Sequence, residues 1–218
     1  MSIVAYYARL SSDQLAECRL NPEPLRSASV AHMPGAEVID VDRSWEPLGW
    51  LLSPLKRAEL DHNSLVMSEM LAERRATKQT LASRISAIFM RKSSRGKSTA
   101  ISASLKLVDE VVLDMRLIAI EGRTEHREER LNFGLGAAAI FGNDEVSTLS
   151  AALASVSPEG LAEHLDPERM DKIGVFPGHW VEEGQDLMNQ YIIPNFVRLQ
   201  SFYAIASEQK QIVAVWHI

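Results

Sequence analysis

The alternation of apolar and polar positions predicts strands at both ends of the chain and one between them. Ile3, Ala5 and Tyr7 can line one face of an opening strand, because side chains two residues apart point to the same side. Residues 37–41 alternate in the same way, and residues 212–216 form a last apolar run of strand length. The chain is therefore predicted to combine strands with the helices described next.

A capping signal follows the first strand. Ser11 and Gln14 have the spacing of a capping box, in which each side chain accepts a hydrogen bond from the other residue's backbone amide. This box predicts a short helix that runs to Leu20. Pro22 ends it, because the residue before a proline is pushed out of the α region.

A second helix is predicted after the strand at 37–41. Asp42 or Ser44 is expected to cap it, since short polar side chains satisfy the first free amides of a helix. Its apolar face has spacings of three and seven residues. The residues of that face are Trp45, Leu48 and Leu52.

The C-terminal half contains three predicted helix starts and a long apolar stripe. Asp144 is expected to cap a helix through residue 156, while Ser157-Pro158 and Asp166-Pro167 begin two others, because proline fits the first helical turn. A further helical segment, 185–209, must kink or restart at Pro194. Its stripe consists of Met188, Ile192, Phe196, Leu199, Tyr203 and Ala206.

The middle of the chain is predicted to contain a long helical segment, a basic loop and an exposed charged segment. Residues 60–90 lack proline and glycine and predict one or two amphipathic helices with Met67, Met70 and Leu71 among the apolar positions. Residues 91–97 contain no apolar residue and predict a loop. Residues 111–120 fit either a strand or a buried helix, and residues 121–130 are expected to be exposed.

Charge separates this middle segment from the rest. The whole chain carries a formal charge of −6, yet residues 56–97 contain ten Lys or Arg against four Asp or Glu. An acidic body repels phosphate backbones, so nucleic acid would have to be bound by this segment alone and is not expected as a partner. The basic loop that would bind it contains Arg91, Lys92, Arg95 and Lys97.

Cysteine content and hydropathy favour the cytoplasm. Cys18 is the only cysteine, which excludes an internal disulfide and suits a reducing compartment. The first ten residues lack the features of a secretory signal, and no apolar run is long enough to span a bilayer. We therefore expect a cytoplasmic protein without a membrane partner.

Familiar catalytic and metal-binding motifs are absent from the sequence. Residues 96–99 read Gly-Lys-Ser-Thr, but Arg91 occupies the position where a phosphate-binding loop needs its first glycine. The six histidines have no zinc-ligand spacing to one another or to Cys18. We expect no cofactor, no metal site and no catalytic residue.

One cluster mixes groups that could bind a partner. His179 and Trp180 precede Glu182 and Glu183 at a predicted helix start, although acidic residues there also complement the helix dipole. Trp50 lies off the apolar face of its helix and is predicted to be partly exposed. These five residues are the candidate binding site.

Two stretches of the chain resemble the YfbM-like family. Residues 38–45, Val-Ile-Asp-Val-Asp-Arg-Ser-Trp, followed by Leu48 and residues 50–52, are similar to the family's strand, Asp-Lys-x-Trp turn and aromatic-Leu-Leu helix. The second stretch runs from residue 134 to residue 216. It includes Glu145, Val146, Leu153, Asp166, Pro167, Met170, Phe176, Pro177, Trp180, Phe202, Tyr203 and residues 213–216.

The resemblance implies an α+β fold. We expect a single domain over residues 1–218, in which a small mixed or antiparallel sheet packs against several helices. Residues 60–107 exceed the family's usual spacing and are predicted to form a helical insertion. The polar Arg and Tyr of a family motif are replaced by Ala139 and Ile140, and Gly49 stands where relatives often carry His.

The resemblance also suggests a function. YfbM-like domains look like candidate immunity proteins of bacterial toxin systems. Three features of this chain agree with that role: its small size, its excess of acidic residues and its lack of a catalytic motif. We therefore expect a non-catalytic module that binds and neutralises a cognate toxin. The alternatives are an enzyme with a cleft near Trp45 and Trp180, and a binder of nucleic acid or anionic surfaces through Lys92, Arg95 and Lys97.

Overall fold

The structure is a computed structural model that describes residues 3–26, 34–87, 114–122, 127–133 and 135–218. The chain divides into two compact units. One unit contains residues 1–57 and 114–218, and the other contains residues 58–113. The basic loop predicted at 91–97 and the predicted end of the insertion at 107 lie outside the described residues.

A five-stranded antiparallel sheet forms the centre of the first unit. Its strands are β1 (Ala5–Leu10), β2 (Glu37–Asp40), β3 (Arg127–Asn132), β4 (Ala137–Phe141) and β5 (Ile212–His217), in the order β2-β1-β5-β4-β3. The predicted α+β fold and its three predicted strands are confirmed. The sheet is antiparallel, which is one of the two arrangements expected.

The inner and outer strands differ in chemistry. Tyr7 of β1 lies opposite Val215 of β5, and both side chains are buried. The edge strand β3 has the sequence Arg-Glu-Glu-Arg-Leu-Asn, and its Glu128 forms a 3.0 Å ion pair with Arg19. This strand was not predicted, because charged residues on an exposed sheet edge lack the apolar alternation that identifies a half-buried strand.

Five helices are described between β1 and β3. They are α1 (Ser12–Leu20), α2 (Glu23–Arg26), α3 (Trp45–Leu52), α4 (Pro54–Ala87) and α5 (Met115–Glu121). The capping box of α1 is confirmed: Gln14 N donates to Ser11 Oγ at 3.2 Å, and Ser11 N donates to Gln14 Oε1 at 2.7 Å. The open choice at 111–120 resolves to helix from Met115 onward, while residues 111–113 lie outside the described residues.

The cap of α3 and the apolar face of α4 differ from prediction. Ser44 occupies the cap position of α3, but its hydroxyl donates to Val41 O instead of accepting from a helix amide. Within the second unit, Met67, Met70 and Leu71 of α4 are exposed in the described part of the chain. The spacing of apolar residues thus predicted helix α4 correctly, but it did not predict that these side chains are exposed.

The remaining helices follow β4. They are α6 (Asn143–Ala154), a 3-10 helix (Glu159–His164), α7 (Pro167–Ile173), α8 (Trp180–Leu187), a π-helical turn (Met188–Ile192) and α9 (Ile193–Glu208). Asp166 caps α7 as predicted, accepting from Arg169 N at 3.1 Å. The cap predicted at Asp144 is wrong: Gly142 is the cap residue, the helix runs from Asn143 to Ala154, and Asp144 lies in its first turn.

Pro194 marks the start of α9, as predicted, and the π-helical turn joins α9 to α8. A proline cannot donate the backbone hydrogen bond that an uninterrupted helix needs there. The apolar stripe on these segments is confirmed as core. All six of its residues are buried: Met188, Ile192, Phe196, Leu199, Tyr203 and Ala206.

A buried ion pair lies where α4 begins and α5 ends. Lys56 Nζ is 2.7 Å from Glu121 Oε1, and the side chains are 7% and 6% exposed. The prediction that residues 121–130 are exposed is therefore wrong at Glu121. Gly49 leaves room for this carboxylate, because a Cβ there would lie 3.0 Å from Glu121 Oε1.

Two tyrosine hydroxyls hold the last turn of α5. Tyr203 Oη donates to Ala119 O at 2.9 Å, and Tyr7 Oη donates to Ile120 O. Burial raises the pKa of both tyrosines, so both hydroxyls stay protonated and able to donate. This end of α5 is thereby fixed against β1 and α9.

Candidate functional site

A shallow pocket of about 400 Å³ lies beside α8. Its carboxylates come from Asp42, Glu183 and Asp186, and all three residues are exposed. The other lining residues are Phe176, Pro177, Leu187, Gln190 and Tyr191. We call this the acidic pocket.

Asp42 reaches the pocket from the turn after β2. Its φ of 47° is in the left-handed region, which aspartate tolerates better than most residues. Tyr191 Oη donates to Asp42 Oδ2 at 2.9 Å and accepts from Arg43 N at 3.1 Å. Burial, followed by the hydrogen bond to Asp42, raises the pKa of Tyr191, so the hydroxyl remains a donor that orients the carboxylate.

Phe176 provides a half-buried apolar wall. Its backbone amide donates to Glu46 Oε1 at 3.2 Å, which ties the segment before α8 to α3. The Arg43 guanidinium lies 3.7 Å from the centre of the Phe176 ring, a cation–π contact. Arg43 is thus a neighbouring cation, but among the described residues no Lys or Arg lines the pocket itself.

Helix α8 supplies the other two carboxylates. Its first amides are capped by Asp171, which accepts from Trp180 N at 2.8 Å and from Val181 N at 2.9 Å. The hydrogen bond from Val181, together with the one from Trp180 and the nearby His179, lowers the pKa of Asp171. With the helix start fixed in this way, Glu183 and Asp186, three residues apart, share the face that lines the pocket.

The predicted cluster at 179–183 is divided by the fold. His179, Glu182 and Glu183 are exposed, and His179 occupies the cap position of α8 with φ 62° and no side-chain cap bond. Trp180 is buried, and its Nε1 donates to Val175 O at 2.9 Å. Only Glu183 of this cluster lines the acidic pocket.

The two other tryptophans singled out from the sequence, Trp45 and Trp50, are also parts of the fold. Trp50 is fully buried, so its predicted partial exposure is wrong. Trp45 is half-buried; its Nε1 donates to Ile3 O at 3.2 Å, and its ring meets His217 edge-on at 5.1 Å. Trp45 and Trp180, near which the alternative hypothesis places an enzyme cleft, therefore both use their indole N–H within the fold.

The structure does not describe the candidate basic residues, but it does allow a search for metal-binding clusters and membrane-spanning helices. Arg91, Lys92, Arg95 and Lys97 lie outside the described residues, so their role stays a prediction. In the described ranges, no group of three or more His, Cys, Asp or Glu is arranged to hold a metal ion. In the same ranges, no helix has both the length and the apolar character needed to cross a membrane.

Sequence reasoning missed most of the acidic pocket. The spacing of Glu183, Asp186 and Gln190 along one helix was a signal that could have been read. Asp42 had been assigned only a possible capping role. Its hydrogen bond to Tyr191 joins positions 149 residues apart, which no local pattern encodes.

Comparisons with known proteins identify a family and a fold. A family model described as a domain of unknown function, DUF1877, matches residues 103–216, slightly more than half of the chain. A crystal structure of YfbM from Escherichia coli, a protein of unknown function, is similar at a TM-score of 0.56 and 14% identity over 99% of each chain. No curated protein matches. The structural similarity shows the fold alone.

Proposed function

The chain belongs to the DUF1877 family, the YfbM-like domain of unknown function, and on that premise we propose that it is a non-catalytic protein-binding module. Its partner is a cognate bacterial toxin, which it binds and neutralises in the cytoplasm. The observation that carries the proposal is the acidic pocket, in which three carboxylates surround a half-buried apolar wall.

The chemistry of this pocket suits a lysine or arginine side chain from the partner. The aliphatic part of such a side chain packs against apolar surface, and its charged end seeks carboxylates. Phe176 and Leu187 supply the apolar surface, while Asp42, Glu183 and Asp186 supply the carboxylates. Asp42 is held in place by Tyr191 before any partner arrives, which reduces the ordering cost of binding.

Charge beyond the pocket supports a basic partner. The chain carries a formal charge of −6, and Glu182 adds a further exposed carboxylate on α8. An acidic surface speeds encounter with a basic surface and disfavours acidic competitors. A toxin with a basic active site could be covered by such a surface, and covering alone would neutralise it.

The proposal is tested by co-expressing the chain with the product of its adjacent gene. We expect the chain to rescue growth from a toxic neighbour and to be recovered with it in a pull-down. The double variant Glu183→Gln with Asp186→Asn should lose both effects together. Rescue without a physical complex would contradict the proposal.

A control variant separates a local pocket from general acidity. Glu17 and Glu208 are exposed, and neither lines the acidic pocket. Glu17→Gln with Glu208→Gln removes the same two charges, so it should retain rescue and complex formation. If it fails as the pocket variant fails, net charge and not the pocket carries the binding.

A further inference from the structure

The cation Arg43 lies beside the acidic pocket. Its guanidinium is 3.7 Å from the centre of the Phe176 ring, and Phe176 is the apolar wall of that pocket. Arg43 is half-buried, whereas the three carboxylates of the pocket are exposed. A positive charge therefore lies next to the ring that lines an otherwise acidic site.

The guanidinium of Arg43 has no anionic partner among the described residues. The backbone amide of Arg43 donates to Tyr191 Oη at 3.1 Å, but its side chain makes no hydrogen bond and no ion pair in the part of the chain that the structure describes. The nearest acidic residues in sequence have other contacts. Asp42 Oδ2 accepts from Tyr191 Oη, and Glu46 Oε1 accepts from Phe176 N. The N–H donors of the guanidinium are therefore left for a ligand.

This guanidinium is partly out of water already. Arg43 Nε is buried and has no hydrogen-bond partner in the described structure. Buried polar groups are nearly always paired, so a buried, unpaired N–H on a charged group calls for an explanation. Contact with the Phe176 ring stabilises the cation but accepts none of its N–H bonds in the plane of the fork. A carboxylate in that plane would form two parallel hydrogen bonds, the geometry in which arginine binds most strongly.

Arg43 is unfavourable for a partner surface that is basic throughout. The proposed partner places one lysine or arginine side chain among Asp42, Glu183 and Asp186. Like charges that face each other weaken binding, so Arg43 would repel a second basic group beside the first. Specific interfaces often contain such a repulsive element. The acidic pocket with Arg43 at its side thus selects against surfaces of one sign.

The anion that fits beside the pocket is a single carboxylate. The three exposed carboxylates of the pocket repel polyanions such as nucleic acids. One acidic side chain next to one basic side chain has no net charge, and each of the two groups then meets its opposite sign. A protein surface supplies such a pair directly.

We infer that Arg43 is a specificity-determining residue that binds an aspartate or glutamate side chain of the partner, next to the basic side chain that enters the acidic pocket. This inference rests on the proposed function and deepens it, because the partner surface becomes a neighbouring pair of opposite charges instead of a basic patch. Phe176 lines the pocket and also contacts Arg43, so the two partner side chains must be neighbours, as residues three or four apart on a helix are.

The test is a double-mutant cycle, measured by titration calorimetry between the full chain and its adjacent gene product. Arg43→Met removes the charge and keeps an unbranched chain beside Phe176, and it should weaken the complex by about tenfold. Each Asp and Glu of the partner is then replaced in turn by Asn or Gln. One replacement should weaken binding to wild type by about tenfold and binding to Arg43→Met by less than about twofold. Arg43→Gln repeats the cycle with a second neutral side chain.

Lys210→Met is the matched control, because it removes one positive charge elsewhere. Lys210 is exposed and follows the end of α9, whereas Tyr191 of the pocket precedes its start. The 16 residues of α9 span about 24 Å. Lys210→Met should therefore change the affinity by less than about twofold.

The outcomes separate this inference from the proposed function. If wild type binds and Glu183→Gln with Asp186→Asn weakens the complex, but Arg43→Met binds like wild type, the proposed function stands and the role of Arg43 is overturned. A loss in Arg43→Met that is coupled to no acidic residue of the partner would also overturn it, since Arg43 would then only support Phe176. Absence of any complex with wild type would end both proposals.

Discussion

Carboxylates occupy two opposite settings in this molecule. Glu121 is buried and meets Lys56 at 2.7 Å beneath α3, whereas Asp42, Glu183 and Asp186 are exposed around one apolar wall. A buried carboxylate needs its cation, because an unpaired charge in the interior is costly. The exposed carboxylates of the acidic pocket have no cation among the described lining residues. They contribute little to the stability of the fold and can bind a partner. Burial thus separates charge that maintains the fold from charge that can recognise another molecule.

The largest expected effect is on the buried side of this comparison. Lys56→Met leaves Glu121 without its cation and should lower the free energy of unfolding by about 3–5 kcal/mol. Urea denaturation followed by fluorescence measures the loss. Replacing both residues with Met should restore most of the stability, since an apolar pair avoids the unpaired charge. A single variant as stable as wild type would show that the ion pair does not hold this region.

The second largest effect is a dependence of the free energy of unfolding on pH, caused by His217. It should reach about 3 kcal/mol, because the pKa of an unfolded histidine is near 6.5. Burial, followed by the charges of Arg127 and Lys56, lowers the pKa of His217 to about 4. The folded pKa is below the unfolded value, so the stabilisation is complete above about pH 6.5 and is lost as the pH falls towards 4.

Urea denaturation of wild type and His217→Gln at several pH values between about 4 and 7 tests this sign. The stability of wild type relative to the variant should decrease as the solution is acidified through that window. A relative stability that stays constant, or that increases in acid, would contradict a half-buried imidazole held neutral in the folded state.

Gly49→Ala should cost about 1 kcal/mol, although alanine in a helix normally stabilises by a similar amount. The added Cβ would lie 3.0 Å from Glu121 Oε1, and that carboxylate cannot move far without leaving Lys56. In a Glu121→Ala background the same change should become stabilising. Chemical denaturation of wild type, the two single variants and the double variant gives the coupling energy between positions 49 and 121. If the two substitutions have additive effects on the free energy of unfolding, the alanine Cβ does not clash with Glu121.

The smallest effect on stability is expected at the acidic pocket. Glu183→Gln with Asp186→Asn should change the free energy of unfolding by less than about 0.5 kcal/mol, as is usual for surface positions. Thermal and urea denaturation check this value. A large loss of stability would place these carboxylates with Glu121, as parts of the fold, and would remove the contrast between the two settings.

The parts of the fold that were predictable share one property: their signals are local. The Ser11 and Gln14 box, the Asp166 cap and the stripe from Met188 to Ala206 depend on spacings of a few residues, and the structure confirms each. Strand β3 and buried Glu121 were missed for the opposite reason. Charged residues on a sheet edge, or paired in the interior, owe their positions to distant parts of the chain.

The candidate site was less predictable than the fold. His179 and Trp180 attracted attention because rare side chains were adjacent in sequence, but one is exposed and the other is core. The acidic pocket instead joins Asp42 to α8 through Tyr191. A helix face could suggest Glu183 and Asp186, yet only the folded chain brings Asp42 to them.

Titration calorimetry of the chain with its adjacent gene product most directly tests whether the acidic pocket is a protein-binding site. The wild type should bind, and Glu183→Gln with Asp186→Asn should weaken the complex by about tenfold or more. Glu17→Gln with Glu208→Gln should weaken it by less than about twofold. Equal affinity for all three proteins, or no complex with the wild type, would contradict the account.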